Sequence, residues 1–260
     1  MTDDDIALAH RLAEAAGAAI RPFFRSRFAM ESKADDSPVT QADRAAEAAI
    51  RAILDVERPA DGIFGEEYGR VREDAARTWV LDPIDGTRSF IAGRPIFGTL
   101  IALIEEGRPV LGVIDQPILG ERWIGATGQP TLFNGVAART RGCPALAGAH
   151  LSTTGPRLFA PDEKARFEAL VDAARDTLWG GDCYNYALVA SGHLDLVVES
   201  GLKLYDLAAL VPVVEGAGGR MCDWSGADLT EASDGHVIAM GDARLAGEVL
   251  AILGQDTETR

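Results

Sequence analysis

Apolar residues recur every three to four positions in several parts of the chain, which is the spacing of one face of an α-helix. The first such part runs from Asp3 to Phe28, is rich in alanine, and can be capped by Thr2 or Asp3. A second helix is predicted from Thr40 to about Leu54. Further helices are predicted from Pro161 to Asp176 and from Ala243 to Leu253. Between them, one helix is predicted to follow the turn that ends at Tyr184 and to run through Ala190, and another is predicted to begin at Asp206.

Shorter apolar runs, bounded by turn residues, predict strands. Gly62 to Tyr68 begins with such a run, and Trp79 to Leu81 forms another that ends in Asp82. Between Phe97 and Ala126 three runs alternate with turns, which predicts an antiparallel meander. Later strands are predicted at Thr131–Gly135, Leu151–Thr154, His193–Glu199, Gly218–Cys222 and His236–Met240.

This mixture of helices and strands indicates a layered α/β sandwich rather than a doubly wound parallel sheet. A chain of 260 residues is long enough to bury a sizeable core. We expect a single domain with two lobes, about 1–142 and 143–260, joined by the segment from Cys143 to Gly148.

The charge balance narrows the classes of partner. The chain has 40 Asp and Glu against 25 Lys and Arg, a formal net charge of −15. Nucleic acids and anionic membranes need a basic surface, so neither is an expected partner. An anionic substrate would also be repelled unless metal ions supply local positive charge.

Cysteine usage and the apolar runs indicate a cytoplasmic protein. Cys143, Cys183 and Cys222 are odd in number and lack the C-x-x-C spacing of zinc sites. They fit a reducing compartment better than a disulfide scaffold. The first residues are acidic and no apolar run reaches membrane-spanning length, so we expect no secretion.

Two carboxylates follow the predicted strand that ends at Asp82. Pro83 keeps Asp82 extended, and Gly86 allows a tight turn after Asp85. Hard cations such as Mg²⁺ prefer such oxygen ligands, and a helix starting near Thr87 would add N–H groups for an anion. The motif alone leaves two interpretations open: a metal and phosphate site, or a solvated acidic turn that caps a helix.

Two other motifs do not fit this segment. An EF-hand loop needs polar ligands at alternate positions, but residues 84 and 86 are Ile and Gly. A D-x-D-G-T phosphatase would need Asp at position 83, which is Pro83.

Other acids have structural explanations when taken singly. Asp43 lies in the predicted first turn of a helix, where the helix dipole favours a carboxylate. Glu66 and Glu67 follow a strand and are commonly just solvated, unless one supplies a third metal ligand. Asp182 and Asp206 both stand where they can cap a helix.

Taken together and in order, these motifs resemble the inositol monophosphatase family over essentially the whole chain. The segments that carry the resemblance are Gly65-Glu66-Glu67, Asp82-Pro-Ile-Asp-Gly-Thr87, Tyr205-Asp206-Leu-Ala-Ala, Ser37-Pro-Val-Thr-x-x-Asp43 and Glu215-Gly-Ala-Gly-Gly219. The family motif has Trp where this chain has Tyr205, a conservative aromatic exchange that leaves the role of Asp206 intact. The resemblance implies a five-layer αβαβα sandwich, as in the related fructose-1,6-bisphosphatase type, and a homodimer.

The resemblance also implies a Mg²⁺-dependent phosphomonoesterase with two to three ions. The implied metal ligands are Glu66, Asp82, the carbonyl of Ile84, Asp85 and Asp206. Paired ions would clamp the phosphoryl group and activate a water. The implied catalytic residues are Asp43 and Thr87, which would orient that water, together with the metal-binding Glu66. Asp43 would accept a hydrogen bond from the Thr87 hydroxyl. Attack would be in line, without a phosphoenzyme. The N–H groups of Gly86 and Thr87 would hold the phosphate, while Glu67 and Arg88 are assigned no role.

Within the family, the chain is most similar to the bacterial histidinol-phosphate phosphatases. The segments that indicate this branch are Asp85-Gly-Thr-Arg-Ser-Phe-Ile, Gly98-Thr-Leu-Ile-Ala-Leu, Gly112-Val-Ile-Asp-Gln-Pro and Gly180-Gly-Asp-Cys-Tyr. L-Histidinol has a cationic amine, which suits the acids Asp182 and Glu199 as substrate-binding residues, with Asp206 beside them. The expected activity is therefore hydrolysis of L-histidinol phosphate in histidine biosynthesis.

Other functions remain open at this stage. Inositol hydroxyls also hydrogen-bond to carboxylates, so inositol-1-phosphate is an alternative, with nucleotide or sugar-bisphosphate substrates behind it. A non-catalytic regulator that binds metal or phosphate is an alternative of another class. It is disfavoured because no acid of the expected site is missing.

Overall fold

A computed structural model describes residues 1–26 and 38–254 of the chain. Its helices are α1 (Asp3–Ile20), α2 (Pro38–Glu57), α3 (Thr87–Ile91), α4 (Pro161–Ala173), α5 (Tyr184–Ala190), α6 (Leu204–Leu207), α7 (Leu210–Gly216) and α8 (Ala246–Leu253). The predicted first helix is therefore shorter than expected, and residues 27 and 28 at its predicted end lie outside the described residues. The same holds for Ser37 of the polar loop.

Thirteen strands form two sheets in the described part of the chain. Their bounds are β1 (Gly62–Gly65), β2 (Gly69–Val71), β3 (Arg77–Asp85), β4 (Gly98–Glu105), β5 (Arg108–Gln116), β6 (Glu121–Ala126), β7 (Leu132–Phe133), β8 (Val136–Ala137), β9 (His150–Thr153), β10 (Asp176–Trp179), β11 (Leu196–Glu199), β12 (Arg220–Cys222) and β13 (Val237–Met240). The first sheet has the order β2-β1-β3-β4-β5-β6-β7-β8, and the second has the order β10-β9-β11-β13-β12.

The first sheet is antiparallel except where β1 runs parallel to β3. The predicted meander from β4 to β6 is confirmed. The second sheet is mixed, because β9 pairs in parallel with β10 and β11, whereas β13 is antiparallel to β11 and β12.

Successive side chains of β4 point to opposite faces of the first sheet and enter two different cores. Ile101 and Leu103 pack with α1 and α2, whereas Leu100 and Ala102 pack with α5 and α7. The strand is therefore buried on both faces and reads as a continuous apolar run rather than an alternating one.

The second sheet is covered on both faces in the same way. Val197 of β11 joins the core with α5 and α7, whereas Leu196 and Val198 join a third core with α4 and α8. The layers are thus α1 and α2, the first sheet, α5 to α7, the second sheet, and α4 with α8. This confirms the predicted five-layer αβαβα arrangement.

Several local predictions were wrong at element boundaries. The helix predicted to run to Asp176 ends at Ala173, and Asp176 begins β10. Strand β3 does not end at Asp82 but continues to Asp85, with a shift in its pairing to β4 between those residues. Helix α2 begins at Pro38, so Thr40 lies inside it rather than at its cap. Asp206 is the third residue of α6, whose N-cap is Lys203. Within the described residues, no helix combines the length and apolarity needed to cross a membrane.

Candidate active site

Three aspartates from two elements converge at one end of the first sheet. Asp82 and Asp85 come from the end of β3, and Asp206 comes from α6, which packs against β3. One carboxylate oxygen of each lies within 4.8 Å of the others. Asp82 is only 2 % exposed, so this group is largely withdrawn from water. The cluster is the geometric centre of the site.

The pairing shift in β3 explains how two carboxylates only three residues apart reach the same point. Asp82 accepts a hydrogen bond from the Ile84 N–H (3.0 Å), and the Pro83 carbonyl accepts one from the Thr99 hydroxyl (2.8 Å). These bonds replace regular ladder contacts where the strand is irregular. Ile84 lies in the chain between the two acids.

Gly86 ends the strand and starts α3. Its φ of +87° lies in the left-handed region, which glycine tolerates without a Cβ clash. Helix α3 then begins at Thr87, where the sequence places it. The Thr87 hydroxyl donates to the Ile84 carbonyl at 3.4 Å.

Asp85 and Asp206 are each held by a backbone N–H group. Asp85 Oδ2 accepts a hydrogen bond from the N–H of Cys183, at the start of α5 (2.6 Å). Asp206 Oδ2 accepts from the N–H of Lys203 (2.6 Å), as the third-residue acid of a capping box. One oxygen of each carboxylate is thus fixed by the backbone, which leaves the other for a ligand.

The clustering of negative charge at the three aspartates favours the binding of a cation. Burial, and then the neighbouring carboxylates, raise the pKa values of Asp82 and Asp85 well above their usual range, and burial raises the pKa of Asp206. Among the described residues, no Lys or Arg forms an ion pair with any of the three. Buried carboxylates without a cationic partner are costly, and an all-oxygen donor set suits Mg²⁺ or a similar hard ion.

Glu66 adjoins this cluster from the turn after β1. Its N–H donates to the Leu81 carbonyl (3.1 Å), next to Asp82. Burial raises the pKa of Glu66, although a hydrogen bond shared with the Asp82 carboxyl lowers it. The two carboxyl groups are therefore in direct contact, and Glu66 can supply a fourth carboxylate to an ion held by Asp82.

Asp43 lies on α2 and is 5 % exposed. Burial, followed by the carboxylates of Glu67, Glu66 and Glu47, raises its pKa to about 8. Its Oδ1 atom has no hydrogen-bond partner among the described residues. The expected hydrogen bond to Thr87 is absent from the described contacts, so the shared role of these two residues stays a prediction.

A cavity of about 160 Å³ opens beside the aspartate cluster. It is lined by Asp85 and Asp206 together with both predicted specificity acids, Asp182 and Glu199. Glu199 is buried at the end of β11. Burial raises the pKa of Glu199 to about 7, even though hydrogen bonds to its carboxylate lower it. These donors are the N–H of Thr154 (2.8 Å) and the hydroxyl of Tyr186 (3.0 Å).

Asp182 is held in an unusual backbone conformation. Its φ of +45° lies in the left-handed region, where a non-glycine residue is strained, and it follows Gly180 and Gly181, whose φ values are also positive. The Ser89 hydroxyl on α3 donates to its carboxylate (2.9 Å). Burial raises the pKa of Asp182, while Ser89 and nearby arginines lower it. Strain of this kind is often found at functional sites.

The structure brings together residues that sequence reasoning did not assign. Ser89 and Tyr186 hold the two specificity acids, and Glu47 contacts the turn that presents Glu66. Glu47 follows Asp43 by four residues on a predicted helix, a spacing that places both on one face. That spacing was the available signal for Glu47. Ser89 offered no signal beyond lying in the segment Asp85-Gly-Thr-Arg-Ser-Phe-Ile, and Tyr186 offered none.

Comparison with known proteins agrees with this geometry. The sequence profile of the inositol monophosphatase family matches residues 1–257. Two relatives stand out: the bifunctional phosphatase IMPL2, chloroplastic, of Arabidopsis thaliana, and a histidinol-phosphatase of Chlorobaculum parvum. The first is 50 % identical over 95 % of this chain and 74 % of the relative. The second is 37 % identical over 98 % of this chain and 99 % of the relative.

A solved structure of an inositol monophosphatase from Zymomonas mobilis has the same fold. It superposes with a TM-score of 0.92 over 97 % of this chain and 98 % of that one, at 59 % sequence identity. The matches extend over nearly the whole chain, so they include every element that contributes to the aspartate cluster.

Proposed function

This chain belongs to the inositol monophosphatase family, whose members are phosphatases, and from that premise we propose that it hydrolyses L-histidinol phosphate to L-histidinol and phosphate. The reaction would be a step of histidine biosynthesis. The observation that carries this proposal is the cavity in which Asp182 and Glu199 face the same space as Asp85 and Asp206. A substrate with a phosphate at one end and a cationic amine at the other fits that distribution of charge.

The amine would be recognised by the two specificity acids. Glu199 is buried and Asp182 is half-buried. Both are oriented by hydrogen bonds, Asp182 from Ser89 and Glu199 from Tyr186 and Thr154. Charge-assisted hydrogen bonds to a buried, oriented carboxylate are stronger than those to neutral acceptors. An amine placed here gains from both carboxylates, and its charge favours their ionised forms.

The cofactor we propose is Mg²⁺, on which the family depends in general. The residues that would hold it are Glu66, Asp82, Asp85, Asp206 and the Ile84 carbonyl. Bound there, it would supply the positive charge that stabilises the phosphoryl oxygens in a chain of net charge −15. The donor set fits, because its members are oxygen ligands, and within the described residues none of the three aspartates forms an ion pair with Lys or Arg.

The remaining proposed roles belong to groups of the chain itself. The N–H groups of Gly86 and Thr87 would hold the phosphate at the start of α3. Asp43 has an unpartnered buried oxygen that can accept a hydrogen bond from the attacking water, and Thr87 would orient that water together with Asp43. Exclusion of bulk water strengthens each of these interactions.

A second candidate substrate is inositol-1-phosphate. The relative of known structure at 59 % identity is an inositol monophosphatase, and the Arabidopsis relative is bifunctional. The same carboxylates can accept hydrogen bonds from inositol hydroxyls. The two substrates differ in charge at the alcohol end, which makes Asp182 the residue that discriminates between them.

The decisive experiment measures phosphate release from L-histidinol phosphate and from inositol-1-phosphate at matched concentrations, with Mg²⁺ and with EDTA. We expect Mg²⁺-dependent release with a higher kcat/KM for histidinol phosphate. Asp182→Asn should raise the KM for histidinol phosphate far more than that for the inositol ester. Asp172→Asn, an exposed acid on α4, is the control and should leave both unchanged.

Three other outcomes would redirect the proposal. A preference for the inositol ester would retain the phosphatase activity and overturn the histidinol assignment. A loss that is equal for both substrates in Asp182→Asn would show that Asp182 does not discriminate. Release from neither substrate would favour the non-catalytic regulator.

The oligomeric state and the lobe boundaries are further proposals. We propose a homodimer, which sedimentation equilibrium tests directly. We also propose a single catalytic domain with lobes of about 1–142 and 143–260, so that limited proteolysis should cut first between residues 143 and 148.

A further inference from the structure

The turn that presents Glu66 lies against one face of α2. Arg44, Glu47 and Arg51 project from that face at intervals of three and four residues, and all three contact the segment 65–69. Arg44 pairs with the Glu67 side chain (3.3 Å), and Arg51 donates to the Gly69 carbonyl (2.6 Å). Helix α2 therefore contacts this turn at both ends.

Glu47 makes the central contacts of this interface. Its Oε2 accepts a hydrogen bond from the Glu67 N–H (2.8 Å), and its Oε1 accepts from the Tyr68 N–H (3.3 Å) and from Arg51 Nε (2.7 Å). The Glu47 side chain is 0 % exposed. Each oxygen thus faces an N–H donor, and the buried charge is balanced by Arg51.

Gly65 shows how closely the carboxylate approaches the turn. A Cβ atom at residue 65 would overlap the Glu47 carboxylate, and the three nearest atoms to it all belong to Glu47. The φ of Gly65 does not lie in the left-handed region, so glycine is required here for space and not for backbone freedom. Gly65 and Glu47 therefore form a matched pair.

We propose that Glu47 is a positioning residue that sets where the Glu66 carboxylate meets the aspartate cluster. Glu66 lies in the chain between two groups that Glu47 contacts. These are Gly65, which packs closely against the Glu47 carboxylate, and the N–H of Glu67, which donates to it. The same helix carries Asp43 one turn earlier, so Glu47 also fixes the distance between Asp43 and Glu66. The role rests on the proposed function, because that function makes Glu66 a metal ligand.

The first test compares divalent cation binding by the wild type and Glu47→Gln, with Mn²⁺ as a probe detected by electron paramagnetic resonance. Glutamine keeps the size of the side chain but places an NH₂ group against a backbone or Arg51 donor. Outer partners of metal ligands typically change affinity about 10- to 100-fold, so we expect the Mn²⁺ Kd to rise about tenfold or more.

The control is Asp55→Asn, which removes an acid of α2 that pairs with Arg72 on the protein surface. Its Mn²⁺ Kd should equal that of the wild type. If Glu47→Gln lowers the melting temperature but leaves the Mn²⁺ Kd unchanged, Glu47 is merely structural and the proposal is overturned. A wild type that binds no Mn²⁺ would overturn it as well.

The second test is a double-mutant cycle. Its first variant, Gly65→Ala, leaves Glu47 in place, so it tests the same contact even if Glu47→Gln folds poorly. Gly65→Ala in the wild type pushes against the Glu47 carboxylate and should weaken Mn²⁺ binding. In a Glu47→Ala background that carboxylate is gone, so Gly65→Ala should cost much less. Equal costs in both backgrounds would show that the pair is not coupled and would overturn the proposal.

These readouts separate the positioning role from the proposed function. If the wild type binds Mn²⁺ but hydrolyses neither phosphate ester, the proposed function fails, and the metal titrations still decide the role of Glu47. If hydrolysis is observed and only the Kd shift is absent, the positioning role alone fails.

Discussion

Asp5 and Asp82 are both buried carboxylates, but their surroundings are opposite. Asp5, in the first turn of α1, is 0 % exposed and pairs with Arg58 (3.1 Å) and Arg77 (2.8 Å). The N–H and hydroxyl of Thr2 also donate to it. Burial raises the pKa of Asp5, but the hydrogen bonds from Arg77, Thr2 and Arg58 outweigh it and lower the pKa to about 2.

Asp82 has the same chemistry and almost the same burial, yet its neighbours are acids. Burial, then Asp85, Glu66 and Asp206, raise the pKa of Asp82 well above its usual range. No ion pair to Asp82 is found in the part of the chain that the structure describes.

The difference separates an acid that the fold itself satisfies from one that we propose binds a cation. Asp5 is satisfied within the fold, so its ionised form stabilises the protein. The charges of the Asp82 cluster are compensated only when a cation binds. Without a bound cation, repulsion between the like charges opposes folding. Proteins tolerate such an arrangement where a ligand gains from it, which is the physical argument for a cation site.

The largest expected effect is that of Asp82→Asn on activity. Loss of a central ligand should exceed the effect of losing an outer partner, so phosphate release should fall by more than about a hundredfold. The melting temperature in EDTA should not fall, because one of several like charges is removed. Near-normal kcat in this variant would contradict the assignment of the cluster.

The next effect is stabilisation by the cation. Free Mg²⁺ at about 100 times its Kd should add about 2.7 kcal/mol to the free energy of unfolding. For a chain of this size, that is a rise of roughly 5–10 °C in melting temperature. Calorimetry should show this rise in the wild type and in Asp5→Asn but not in Asp85→Asn. A rise that persists in Asp85→Asn would place the ion elsewhere.

Asp5→Asn should have a smaller effect, and it should lower stability rather than activity. It removes charge-assisted hydrogen bonds to two arginines, which should lower the free energy of unfolding by about 2 kcal/mol. Urea titration would measure this loss. The phosphatase activity of the folded fraction should match the wild type, and a drop in kcat would show that the two regions are not independent.

The smallest expected effect is the pH dependence of the free energy of unfolding that Asp5→Asn removes. The pKa of Asp5 is lower in the folded chain than the ordinary value of 3.8, so its contribution is complete above about pH 4 and is lost as the pH falls through 2. The difference in stability between the wild type and Asp5→Asn should therefore shrink between pH 6 and pH 3. A difference that is constant over this range would mean that the arginines do not stabilise the ionised form.

Much of the fold follows from local patterns. The helical spacing in α1, the strands of the meander and the turn at Gly86 depend on neighbouring residues. The sequence placed them within a few positions, except for the end of α1, which was predicted at Phe28 and lies at Ile20. Boundaries were less accurate. Asp206 was predicted as an N-cap but lies three residues further, since several residues before α6 can cap it and tertiary packing selects one.

Sequence order and residue type by themselves indicated which acids to group. Asp82, Asp85, Asp206 and Glu66 were named as one set because of their motifs, and the structure places the three aspartates together and Glu66 against Asp82. Their roles as metal ligands remain predictions. The sequence offered no basis for the contacts that support the site, such as Ser89 with Asp182, which are 93 residues apart.

Only the tertiary structure decided which buried acids are neutralised by the chain itself. Asp5 meets Arg77 across 72 residues, whereas the Asp82 cluster meets other carboxylates, and nothing in the local sequence distinguishes the two cases. Electrostatic energy depends on distance in space and on the dielectric surroundings, not on separation along the chain. The sequence determined which carboxylates are available. Folding determined which of them have an Arg or Lys side chain as a partner and which do not.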